Sequence, residues 1–253
     1  MKKIIYLFFA SLIISSSCQQ KNDQKLNIAV AANMQFVIKK LSKTFTDQTG
    51  IECNLIISSS GKLTAQIKEG APFDIFLSAD MKYPKELFKS GKTIKKPKVY
   101  GYGKLVLWSM IDSIPPSIDI LTSTKINHIA LANPKTAPYG IATIETLKHY
   151  KVYDKIKNKL VYGENISQTN QFIISKAAEV GFTSKSVVLS QELNNKGKWA
   201  PIDETHYTSI AQGVVILKHA NSKQREAERF YNFLSSPDAQ KILIDSGYSI
   251  QDN

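Results

Sequence analysis

The chain is poor in the residues that usually announce chemistry. Its 253 residues include only two cysteines, Cys18 and Cys53, so a disulfide framework is excluded unless these two pair with each other. Its four histidines, His128, His149, His206 and His219, stand without ligand spacing, and no H-E-x-x-H run or cysteine pair accompanies them. That speaks against a metal hydrolase. The only arginines, Arg225 and Arg229, fall together in a late helical stretch, so a carboxylate or organic acid would find no guanidinium clamp at any candidate turn. Nine prolines and twelve glycines leave no room for a long disordered tail. What remains is ordinary globular composition, 43% hydrophobic and 21% charged, enough to bury a core in one large domain or two lobes. Lysine and arginine number 33 against 21 acids, a formal charge of +12, but the lysines are scattered and no recognition module goes with them. The excess reads as solvated surface, and no nucleic-acid partner is expected.

The first segment reads as an address. Lys2 and Lys3 precede an apolar run, residues 4–14, far shorter than the roughly 20 residues that cross a bilayer as a helix. Residues 1–17 are therefore read as an export signal. The run ends Ser15-Ser16-Ser17-Cys18, and a cysteine after small residues resembles the cleavage site of bacterial lipoproteins, where that cysteine carries the lipid. The third position before it is Ser15 where such sites usually have Leu, so a plain cleaved signal with Cys18 incidental, or an uncleaved anchor, stays open. Residues 18–24 are polar, as suits a tether. Loss of residues 1–17 removes two lysines and no acids, leaving +10. The expected location is the periplasm, with the membrane touched only through a lipid anchor.

The folded part alternates strand and helix. Residues 26–32 read as a strand, and Met34, Val37, Ile38, Leu41 and Phe45 then fall on one face of a helix that Gly50 ends. Strands are expected at 51–57, 74–78, 104–108, 128–132, 186–190 and 214–217. Helices are expected after residue 60 as far as Gly70, and at 84–89, 141–150, 168–179, 222–234 and 237–246. Repeated strand-then-helix units predict an α/β protein with largely parallel sheets covered by helices.

In such sheets ligands bind beyond the carboxyl ends of strands, where helix starts present free N–H groups. Four turns have the right character: Ala31-Ala32-Asn33, Ser59-Ser60-Gly61, Pro138-Tyr139-Gly140 and Asn165-Ile166-Ser167. Any one of them could be a helix cap and nothing more. Ser59-Ser60-Gly61-Lys62 also fits the S-x-x-K pattern of serine acyl enzymes, with Ser59 as nucleophile and Lys62 as base. No S-D-N or K-T-G partner follows it.

Several runs together resemble the molybdate-binding proteins of bacterial ABC importers, over residues 26–249. The most specific is Ser59-Ser60-Gly61-Lys62-Leu63, then Gln66-Ile67, then the eleven residues from Gly70 to Asp80; Ala137-Pro138-Tyr139-Gly140, Gly163 to Gln168 and Gln212-Gly213-Val214-Val215 support it. The resemblance implies a two-lobed, type II periplasmic-binding-protein-like α/β fold, each lobe a mixed, mostly parallel sheet flanked by helices, with the ligand in the interlobe cleft. Lobe 1 would comprise residues 25–107 and 213–253, lobe 2 residues 108–212, with crossings near 106–109 and 211–214. It further implies a non-enzymatic monomer without cofactor that hands molybdate or tungstate to a permease and its ATPase. The oxyanion donors would be Asn33, Ser60, Tyr139 and Ile166, with Ala32 as a further member. Tyr139 and Ile166 would act through backbone N–H, Ser60 through hydroxyl and N–H. Where some members place a tyrosine hydroxyl, this chain has Ser184.

Such a site selects by what it lacks. A cavity of donors satisfies a fully deprotonated tetrahedral dianion, whereas hydrogenphosphate would bury an unpaired O–H at about 1–3 kcal/mol. Sulfate carries the same charge, so its rejection must rest on size. A binding protein for sulfate or another tetrahedral oxyanion is the main alternative.

Overall fold

The computed structural model describes residues 25–250; the signal and the whole tether, Cys18 included, lie outside them. Ten strands form two five-stranded sheets. The first holds β1 (Leu26–Ala31), β2 (Cys53–Ser58), β3 (Ile75–Ser78), β4 (Lys98–Gly103) and β10 (Ile210–Ile216), in the order β2-β1-β3-β10-β4. The second holds β5 (Leu105–Ser109), β6 (Ile129–Ala132), β7 (Leu160–Gly163), β8 (Val180–Ser184) and β9 (Lys198–Pro201), in the order β7-β6-β8-β5-β9. β1 pairs in parallel with β2 and β3, and β6 with β7 and β8. β10 runs antiparallel to β3 and β4, and β5 to β8 and β9. Each sheet thus has four strands in one direction and one reversed, the mixed, mostly parallel lobes that the resemblance implied.

Burial follows the sequence pattern. Helix α1 (Val37–Thr49) buries Val37, Ile38, Leu41 and Phe45 and ends at Gly50, whose φ of 71° is the left-handed conformation that glycine adopts without strain. Phe45 meets Phe230 edge-on at 5.0 Å, joining α1 to α8 (Gln224–Phe233), and α9 (Pro237–Asp245) completes that face of the first sheet. On the opposite face lie α2 (Ser60–Lys68) and α3 (Lys82–Lys89), packing Leu63, Ile67 and Leu87 against Phe76 and Val215. The second sheet is covered by α4 (Pro138–His149), α5 (Tyr153–Ile156), α6 (Ile166–Ile174) and α7 (Lys185–Val188), and its core runs on to Ala31, Ala32 and Ala79 of the first lobe. Cys53 lies half-buried on the edge strand β2, where burial pushes its thiol up to about 12 and keeps it protonated.

Two expectations change. The crossings fall a few residues earlier than expected: residues 106–109 lie inside β5 of the second sheet and 211–214 inside β10 of the first. The chain passes between sheets at Lys104 and through residues 202–209. An apolar run of five to seven residues says that a strand is buried, not which sheet it joins. Residues 186–190, expected to be extended, instead begin inside α7, because Ser184 caps a helix there by accepting the Ser186 N–H.

Candidate functional site

The carboxyl ends of β1, β2, β3, β6 and β7 converge on one cavity between the lobes. It is small, about 10 Å³, and is lined by Ala31, Ala32, Asn33, Ser59, Ser60, Ala79, Ala137, Pro138, Tyr139, Asn165 and Ile166. All five donors expected from the sequence, Ala32, Asn33, Ser60, Tyr139 and Ile166, are therefore neighbours around a single space, and none of the lining residues carries a charge. Both arginines lie in α8, outside this lining.

Helix starts supply the electrostatics. α2, α4 and α6 all begin at the cavity, with Ser60 and Ile166 as first residues and Tyr139 as second. First-turn N–H groups have no carbonyl four residues back within their own helix, and the aligned peptide dipoles put partial positive charge there. Ser59 and Asn165 cap α2 and α6 by accepting the N–H of Lys62 at 3.4 Å and of Gln168 at 3.0 Å. Those caps take third-position donors and leave the N–H of Ser60 and Ile166 to the cavity side. α4 starts with Pro138, which has no N–H to give, so Tyr139 offers the first one. A short 3-10 turn, Ala32–Met34, brings the fourth set.

Side chains behind the cavity hold these groups. The Ser60 hydroxyl accepts the Ala79 N–H at 3.0 Å, which leaves its own proton to donate. Asn33, 2% exposed, gives both amide hydrogens away, to Gln212 Oε1 and to the Tyr248 hydroxyl, each at 2.9 Å. Gln212 in turn donates to the carbonyls of Ala79 and Ile210, which fixes its orientation and so that of Asn33. Asn33 Oδ1, shut off from solvent, has no hydrogen-bond partner among the described residues. The side chain of Asn33 is thus a strut, and only its backbone N–H is available to a ligand. Ser186 donates to the Asn33 carbonyl at 2.9 Å and lies 3.1 Å from the Tyr248 hydroxyl, tying α7 of the second lobe to the 3-10 turn of the first.

Ser184 is not part of the lining. Its hydroxyl donates to the Tyr139 phenol at 3.0 Å and sits 2.7 Å from Ser186 Oγ, so it supports Tyr139 from behind. Burial, reinforced by the Tyr248 phenol, holds the Tyr139 phenol well above its usual 10; burial likewise pushes Tyr248 up to about 12. These hydroxyls stay protonated through the physiological range. Gln212, Ser186 and Tyr248 escape a reading based on turns. Only Gln212, polar within the apolar run 210–217, left a trace.

At the mouth the lobes touch directly. The Gly61 N–H donates to the Thr136 carbonyl at 2.9 Å, Tyr83 OH to the Lys135 carbonyl at 3.4 Å, and Ser167 Oγ to Gln35 Oε1 at 2.5 Å. Lys62 Nζ pairs with Glu164 across the rim at 2.5 Å. Of the S-x-x-K pair, Ser59 caps α2 and Lys62 Nζ is engaged by Glu164.

Two lobes around a charge-free nest of N–H donors define a solute-binding protein. The chain matches the bacterial extracellular solute-binding protein family over residues 26–249 and belongs to it. It is 36% identical over 221 residues to the molybdate-binding protein ModA of Rhodobacter capsulatus, covering 87% of this chain and 86% of that one. To ModA of Azotobacter vinelandii it is 33% identical over 232 residues, covering 90% of each. The solved periplasmic molybdate-binding protein of A. vinelandii superposes with a TM-score of 0.84 at 31% identity, over 90% of this chain and all of that one.

Proposed function

We propose that this protein captures molybdate, and tungstate equally, outside the cytoplasm and delivers it to an ABC importer. The observation that carries the reading is the cavity itself, where helix starts from both lobes meet with no charged side chain in the lining. The N–H groups of Ala32, Asn33, Ser60, Tyr139 and Ile166 and the Ser60 hydroxyl are the donors, and the protein acts as a cofactor-free monomer that passes its cargo to a permease and its ATPase. Similarity to ModA over most of the chain supports the choice of anion. Neutral donors and helix dipoles are enough to balance a dianion in a site from which water is excluded. Calorimetry of the mature chain with molybdate, tungstate, sulfate and phosphate in turn is expected to give tight one-to-one binding of the first two only. Tight sulfate binding with none of molybdate would overturn the assignment.

The protein is tethered through Cys18 as a periplasmic lipoprotein. Replacing Cys18 by Ser is expected to move the protein from the membrane to the soluble fraction with anion affinity intact, because a polar segment separates Cys18 from β1. A wild-type protein already soluble after processing would refute the anchor.

A further inference from the structure

We propose that the contact between Gly61 and Thr136 is the ruler that sets the size of the closed cavity and thereby discriminates molybdate from smaller dianions. This rests on the reading of the cavity as a molybdate site and supplies the dimension that the sequence leaves open.

Gly61 is the second residue of α2, immediately after Ser60, and Thr136 lies two residues before Pro138 at the start of α4. The contact therefore joins the two helix starts that bring donors from opposite lobes. Gly61 does not need glycine's conformational freedom, since its φ is not among the positive ones. It needs the space: a Cβ at this position would lie 2.9 Å from Thr136 Cα, 3.1 Å from Thr136 Cβ and 2.8 Å from the Tyr83 hydroxyl. The hydroxyl could swing aside. Thr136 Cα is backbone, held in a turn by the Thr136 N–H donating to the Asn133 carbonyl at 3.1 Å and the Asn133 N–H donating to the Gly163 carbonyl at 2.7 Å.

In the protein as it is, the two backbones meet through the 2.9 Å bond from the Gly61 N–H to the Thr136 carbonyl, a contact already at ordinary hydrogen-bond length with little slack. Further closure is blocked by repulsion, whatever occupies the cavity. A smaller dianion could not draw the lobes closer and would meet donors from one side at the expense of the other. A ligand-limited clamp, by contrast, would tighten around sulfate. The Lys62–Glu164 pair, nearly half exposed on each side, adds attraction at the rim but cannot act as a stop, because long flexible side chains yield.

The test compares the molybdate-to-sulfate affinity ratio in the wild type, Gly61→Ala and Lys62→Met, by calorimetry on the mature chain. Gly61→Ala keeps every proposed donor but inserts a methyl group at the stop. Molybdate affinity is expected to fall at least tenfold and sulfate affinity by clearly less, so that the ratio drops. Lys62→Met is expected to leave the ratio unchanged. Equal losses for both anions in Gly61→Ala, or none, would overturn the ruler. A wild type that ignores molybdate would instead refute the functional reading. Should Gly61→Ala fail to fold, spin labels on the two lobes of the wild type decide: the interlobe distance in saturating sulfate is expected to be no shorter than in molybdate, and a shorter one overturns the proposal.

Discussion

Ser60→Ala is expected to weaken molybdate binding by one to two decades and to lower the unfolding temperature of the ligand-free protein as well. The two effects have separate origins in one atom. Toward the cavity, the hydroxyl is the one side-chain donor among the proposed contacts, and a hydrogen bond to a charged group is worth about 1.5–3 kcal/mol. Toward the core, the same oxygen accepts the buried Ala79 N–H, which alanine would leave without a partner at about 1–3 kcal/mol. Calorimetric titration reads the first and thermal unfolding the second. If affinity is unchanged while stability drops, the Ser60 hydroxyl is a structural brace only and does not reach the anion.

Gly103→Ala should be strongly damaging behind the cavity. A Cβ there would come within 2.1 Å of the Tyr139 phenol oxygen, 3.0 Å of its ring carbon and 2.8 Å of Gln212 Nε2. Tyr139 is fully buried, so the ring can escape only by pulling α4, and with it the Tyr139 N–H, away from the site. Overpacking of this kind costs about 1–3 kcal/mol of stability, and molybdate affinity should fall with it. Tyr139→Phe alone keeps the N–H and should have a small effect. Combined with Gly103→Ala it removes the closest clash, so the double variant is expected to be more stable than the sum of the singles by roughly 1 kcal/mol. Strict additivity in denaturant unfolding would show that the two residues do not collide.

The site was legible in the sequence to the extent that it is built from local signals. Small residues and cap types at strand ends, as in Ala31-Ala32-Asn33 and Ser59-Ser60-Gly61, mark helix starts wherever the chain goes, and resemblance to a family supplied their convergence. Asn33 shows the limit. Its amide looks like a donor in the sequence, yet Gln212 and Tyr248, 179 and 215 residues away, use up both its hydrogens. Ser184 was legible as a position and not as a role, since its partners Tyr139 and Ser186 belong to different helices. Among the strands, β4, with the sequence KVYGYG, alternates too weakly to stand out, and β9 is short and largely exposed. Both become strands because β10 and β5 offer them an edge, a gain that appears only after the sheets assemble.

The route between the lobes has a mechanical meaning. Lys104 is a one-residue link, and each chain crossing enters a strand that is bonded on both sides, β5 between β8 and β9 and β10 between β3 and β4. The two crossings are also stitched together: the Leu105 N–H donates to the Tyr207 hydroxyl and the Ile202 N–H to the Leu105 carbonyl, both at 3.1 Å. Two links, each running from an edge strand, β4 or β9, to an inner strand of the other sheet, β5 or β10, favour bending about one axis over swivel and shear. A hinge built this way favours one closing path, which would bring the same atoms back to the same places. Reproducible registration of that kind is what allows a rigid cavity to measure an ion.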